Sequence, residues 1–212
     1  MTGVALGGLI VAGLFAIGDW VARARRNERL EYVCKPATLV ALIATAVALV
    51  PAHDLGTRRT WFVVALVCSL VGDVLLMLPS DVFVAGLAAF LVGHLFYIAG
   101  LWSHGPSGTA FAVAAAVVVV VVAPVGYRVL RALRGRSELG IPVALYMVVI
   151  SVMLATALAT GNVLAGVGAA LFVSSDAMIA WNRFVRPFRA ADLGIMVTYH
   201  LGQAGLVLSL LH

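Results

Sequence analysis

Eight apolar runs, each close to the length that crosses a bilayer, occupy most of this 212-residue chain. They are Val4–Trp20, Pro36–Val50, Trp61–Leu78, Phe83–Trp102, Thr109–Leu130, Leu139–Ala159, Val163–Trp181 and Leu193–Leu211, the second starting near Val33. A transmembrane helix needs about 20 mostly apolar residues to span a hydrocarbon core about 30 Å thick. Eight spans leave only short connections, so the chain reads as a single all-α membrane domain over 1–212. Composition agrees: 63% of residues are hydrophobic and 11% charged, against about 45–50% and about 25% in a soluble domain. The valine run Val117–Val122 would suggest a strand in water. In lipid its backbone groups must be satisfied internally, so helix is expected. Turns are predicted at Pro79-Ser-Asp, at 103–108 and at Thr160-Gly-Asn.

Charge sets the expected orientation. Twelve basic residues fall in the first, fifth and seventh loops, among them Arg23, Arg29, Lys35, Arg128, Arg183 and Arg186, whereas the even loops hold only Arg58 and Arg59. The positive-inside rule places the odd loops in the cytoplasm and both termini outside a cell membrane. The net charge of +5 then reflects loops facing an anionic leaflet and not a nucleic-acid surface. Cys34 and Cys68 form no disulfide or metal-ligand pattern, and Cys34 reads as a small apolar filler or a lipidation site at the membrane edge.

The chain also suggests a repeat. Basic loops begin at Arg23 and Arg128, aspartates fall at Asp73 and Asp176, and histidines at His94 and His200, with offsets of 105, 103 and 106 residues. That spacing points to two parallel four-helix halves, 1–104 and 105–212, with a site at their interface.

Ionisable residues inside spans are costly and mark function by default. Asp19, at a span end, is expected to be interfacial and solvated; Asp54, Asp81 and Glu138 fall in loops; Asp192 is expected to cap the last helix. Asp73 and Asp176 remain as deep carboxylates. At about 1.5 Å of rise per residue they lie about 12 and 10 Å from the cytoplasmic edge, with His94 about 16 and Tyr199 about 10 Å. Tyr97 shares a helix face with His94, Gln203 with Tyr199, and Ser69 with Asp73. For Tyr97, Gln203, Ser69 and His200 a structural interhelical hydrogen bond is the alternative role.

Several ordered stretches resemble the YhhN-like membrane proteins, which include lysoplasmalogenases. They are Gly72-Asp73-Val-Leu-Leu-Met-Leu, Phe83 to Tyr97 with Gly86, Phe90 and His94, Gly168 to Asp176 with Phe172 and Ser175, Asn182-Arg183-Phe184, and Thr198-Tyr199-His-Leu-Gly-Gln203. Lys35-Pro36, Tyr146 and Met153 also match that pattern, whereas His200 departs from it and inherits no role. The resemblance implies an eight-helix hydrolase that cleaves the vinyl-ether bond of lysoplasmalogens to a fatty aldehyde and a glycerophospho-alcohol. It implies no cofactor and no metal; its partners would be a lysophospholipid and the surrounding lipid. Oligomeric state has no signature in the sequence.

The residues suit that chemistry. An enol ether is cleaved by protonating its β-carbon, which requires a carboxylic acid, and water captures the resulting oxocarbenium ion with help from an anion. Two neighbouring carboxyl groups in low dielectric resist ionising together, so one stays an acid while the other is an anion. Asp73 and Asp176 are expected to form this pair in either order. His94 and Tyr199 would orient water, Lys35 with Arg183 or Arg186 would meet the phosphate at the interface, and Tyr97, Tyr146, Asn182 and Gln203 would line the substrate site. A proton-coupled transporter using the same carboxylates is the main alternative. A zinc hydrolase built on His94, His200, Asp73 and Asp176 lacks a short-spaced ligand pair, and the aspartyl-protease reading lacks its motif around Asp73.

Overall fold

The computed structural model describes residues 2–49, 56–80, 82–103 and 105–211. Asp54, Asp81, His104 and the predicted span end at Val50 lie outside the described residues. Among the described residues, eight helices are long and apolar enough to cross a membrane: α1 Gly3–Arg25, α2 Glu28–Ala48, α3 Gly56–Met77, α4 Phe83–Trp102, α5 Gly108–Ala132, α6 Ser137–Ala159, α7 Val163–Ala180 and α8 Ala191–Leu208. A π-helical turn, Trp181–Val185, extends α7. The valine run is helical within α5.

The differences from the sequence reading have local causes. Helix α2 begins at Glu28, well before the apolar run, because Asn27 caps it by accepting from the Leu30 N–H at 3.2 Å and Glu28 and Glu31 complement the helix dipole. Lys35 therefore sits two turns inside the helix and not in a loop. Helix α8 starts at Ala191, with Ala190 at the cap position, so Asp192 offers its charge to the first turn without being the cap. Cys34 is buried against α1, where a Cβ at Gly18 would come within 2.9 Å of its Sγ.

Consecutive helices pair as α1–α2, α3–α4, α5–α6 and α7–α8. Further packing of α2 on α3, α4 on α6, α6 on α7, and α8 on both α1 and α2 places α2, α3, α4, α6, α7 and α8 around the interior. Helix α5 packs mainly on α6 and the π turn, which leaves its valines, such as Val113, Val120 and Val121, facing outward.

The α7–α8 pair depends on small residues. A Cβ at Gly168 would lie 2.7 Å from the Leu206 backbone N, and one at Gly202 would lie 2.9 Å from both the Gly168 O and the Phe172 N. Backbone atoms cannot move aside as a side chain can, and close approach through small residues is a principal means of helix association in lipid. Gly202→Val is therefore expected to destabilise the bundle by about 3 kcal/mol, the upper range for overpacking, and to lower its melting temperature in detergent. An unchanged melt would show that α7 and α8 are not held this closely.

Candidate functional site

Three helices meet at one carboxylate, which takes two side-chain partners. The Lys35 Nζ of α2 lies 3.0 Å from Oδ1 of Asp73 on α3, and the Tyr199 hydroxyl of α8 donates to Oδ2 at 2.8 Å. Asp73 and Lys35 are 1% and 4% exposed. Breaking a buried pair of this kind strands a charge, so each partner depends on the other. A chain of donors stands behind the pair. The Tyr97 hydroxyl donates to Oε1 of Gln203 at 2.5 Å, and the Gln203 amide donates to the Tyr199 oxygen at 3.3 Å. Tyr199 thus has its oxygen occupied as an acceptor and its proton directed onto Asp73.

The second carboxylate has a different environment. Asp176 on α7 accepts a hydrogen bond from the Tyr146 hydroxyl on α6. Among the described residues no cation forms an ion pair with it. Asp73, Asp176, Lys35, Tyr146 and Tyr199 all line one cavity of about 220 Å³. The rest of its wall is mostly apolar, including Phe83, Leu87, Phe90, Val125 and Ile150.

The other candidate site residues, His94, Tyr97, Asn182, Arg183 and Gln203, do not line this cavity. His94 is buried behind Tyr146, with ring centroids 5.3 Å apart and its Nδ1 2.5 Å from the Phe90 carbonyl. Tyr97 and Gln203 support Tyr199 from behind. The Ser69 hydroxyl turns back to its own helix at the Ala65 carbonyl, 2.9 Å away. Asn182 stabilises the α7–α8 connection by accepting from the Phe188 N–H at 3.1 Å. Arg183 lies over the ring of Phe83, 4.3 Å from its centroid, and so adjoins the cavity through that ring. Lys35 was expected at a phosphate; its helix starts too early for that and carries the ammonium inward to Asp73. Asp19 was expected in solvent and is fully buried. Among the described residues no three His, Cys, Asp or Glu side chains converge as metal ligands.

The sequence reading missed the pairing of Lys35 with Asp73. The available signal was a lone lysine inside an otherwise apolar helical stretch, which needs a countercharge if it points inward.

The YhhN family profile matches residues 30–210, which hold both carboxylates, Lys35, Tyr146 and Tyr199. The chain belongs to the YhhN family. It is 39% identical to human lysoplasmalogenase TMEM86B over 69% of its own length and 62% of the human protein. It is 36% identical to a lysoplasmalogenase of Mycobacterium bovis over 82% of this chain and 67% of that protein, and 36% identical to rat lysoplasmalogenase TMEM86B over 84% and 71%. The matched region thus spans just under two thirds of the human protein. None of these names describes a transporter. No solved structure matches this YhhN chain.

Proposed function

We propose that this YhhN protein is a membrane hydrolase that cleaves the vinyl-ether bond of lysoplasmalogens, with Asp176 as the acid and Asp73 as the carboxylate that activates water. The observation that carries the assignment is the asymmetry between the two aspartates. Asp73 has a cation on one oxygen and a hydroxyl donor on the other, and both of these contacts favour the anion. Asp176 has one tyrosine hydroxyl and a largely apolar cavity in front of it, which favours a neutral carboxylic acid.

The steps balance. The Asp176 proton goes to the β-carbon of the vinyl ether, leaving an oxocarbenium ion and the Asp176 carboxylate. Water adds to the cationic carbon and gives a proton to Asp73, forming a hemiacetal. The hemiacetal hydroxyl then returns a proton to Asp176 as its carbon–oxygen bond to glycerol breaks, and Asp73 protonates the leaving alkoxide. Aldehyde and glycerophospho-alcohol depart, and both aspartates regain their starting states. The apolar wall accommodates the hydrocarbon chain. Arg183, above Phe83, and Arg186 lie on the side of the basic loops, where the phosphate of a lipid in the cytoplasmic leaflet would sit. On this reading the site lies in the cytoplasmic half, with both termini outside a cell membrane.

A two-half organisation is part of the same reading. In each half the second helix supplies the partner of the aspartate on the third: Lys35 of α2 for Asp73 of α3, and Tyr146 of α6 for Asp176 of α7.

The test compares purified protein on lysoplasmalogen, its alkyl-ether analogue and its acyl-ester analogue. Only the vinyl ether gains a resonance-stabilised cation on carbon protonation, whereas ester cleavage ordinarily needs a nucleophile and an oxyanion hole. Aldehyde is expected from the vinyl ether, with the alkyl ether left intact. Equal turnover of the ester would identify a lysophospholipase and remove this mechanism.

A further inference from the structure

Behind the Lys35–Asp73 pair, where α1 meets α2 and α8, lies a polar corner that the steps above do not use. Asp19 is 0% exposed, and among the described residues neither of its carboxylate oxygens has a hydrogen-bond partner. Arg23 follows it by four residues on the same face of α1 and pairs with Glu31 of α2 at 2.6 Å, yet its Nε–H is buried and has no partner among the described residues. The Trp20 indole N–H donates to Nδ1 of His200 at 3.2 Å. Indole is a donor only, so the neutral imidazole carries its proton on Nε2; that N–H is also buried, with no partner among the described residues, and His200 is 3% exposed. Asp19 lies within electrostatic reach of Arg23, Lys35, Glu31 and Asp73, and His200 within reach of Lys35 and Arg23. His200 also directly follows Tyr199, which donates to Asp73. Asp19, Trp20 and Arg23 precede the family-matched residues 30–210.

The chemistry of these atoms narrows the ligand. Asp19 offers two acceptors, while Arg23 and His200 offer one N–H donor each. A cation would meet the donors, an anion would meet the carboxylate, and an apolar group would satisfy none of them. Water both donates and accepts, and buried waters characteristically join polar groups that have no other partner.

We propose that this corner holds a buried water cluster that supplies the water captured by the oxocarbenium ion at the Asp73 end of the cavity. The supply role rests on the hydrolase reading above; the water site itself does not. Each turnover consumes one water in a cavity with mostly apolar walls, so the water must be replaced through a polar route. The partly exposed Arg23–Glu31 pair marks its outer end, and Asp19 connects it to Lys35 and Asp73. The water oxygen bonds to the cationic carbon, one of its protons goes to Asp73, and the cluster refills from the basic face.

The experiment runs the full-length protein on lysoplasmalogen in D₂O and analyses both the aldehyde and the unreacted lipid. In the wild type, capture outpaces return of the cation, so recovered substrate carries no deuterium at its vinyl β-carbon. Asp19→Leu is expected to lower turnover about tenfold, the cost of a poorly placed reactant. Because the cation then waits for water, it returns a proton to Asp176 and deuterium enters the recovered substrate. Wild-type turnover in this variant, or lost turnover without such exchange, overturns the supply role. If Asp19→Leu does not fold, His200→Phe, which keeps a ring beside Trp20 and Tyr199 but removes the Nε2–H, carries the same expectation. Hydroxyl-radical footprinting tests the water independently of catalysis. His200 should be labelled despite its burial, and labelled several-fold less in Asp19→Leu. An unlabelled His200 in the wild type overturns the water cluster. Labelling without aldehyde from any substrate overturns the hydrolase reading and the supply role with it, and leaves the water cluster supported.

Discussion

Asp176→Asn and Asp73→Asn are each expected to lower lysoplasmalogen turnover by at least ~10²-fold, the lower range for a positioned proton-transfer group. The two variants should fail for different reasons. Asparagine at 176 keeps the shape and still accepts from the Tyr146 hydroxyl, but it has no proton to give to carbon. Asparagine at 73 still accepts from Tyr199, but it leaves Lys35 without its countercharge and cannot take the proton of the attacking water. Stability should therefore change little at Asp176 and fall at Asp73. The double variant should be scarcely slower than either single one, because groups acting as a unit cannot be lost twice. Aldehyde release by purified variants, with melting curves beside it, checks both halves. A well-folded Asn variant with full turnover would remove that aspartate from the mechanism.

Lys35→Met is expected to be nearly as damaging, and this distinguishes an ion-pair role from a phosphate contact. A lysine that only held the distant phosphate would contribute uniform binding, so its loss would raise KM and spare kcat. With Lys35 3.0 Å from Asp73, its loss leaves a buried carboxylate unpaired. The expected result is a drop in kcat of roughly 10²-fold together with a loss of about 3 kcal/mol in stability, the lower end of the cost of breaking a buried pair. Combining Lys35→Met with Asp73→Asn removes both charges and should recover much of the stability without recovering turnover, because the carboxylate is still absent. A Lys35→Met enzyme with normal kcat and raised KM would return the lysine to the substrate phosphate.

By itself the sequence determined the architecture. Eight apolar runs in 212 residues admit few other solutions, since in lipid each run must satisfy its own backbone hydrogen bonds, and this constraint acts locally along the chain. It also singled out Asp73 and Asp176, because a carboxylate in an apolar run is costly whatever surrounds it. Only the tertiary structure decided what each aspartate faces. The partners Lys35, Tyr199 and Tyr146 come from helices far apart in the chain, and no periodicity within one helix encodes a neighbour on another. The same limit explains Asp19 and His94. Position within a span suggested an exposed carboxylate and a histidine facing the reacting groups. Instead, packing of α1 against α2 and α8 buries Asp19, and the Tyr146 ring stands in front of His94. Depth in the membrane can be read along one helix, but the direction a side chain faces is set by the helices that pack around it.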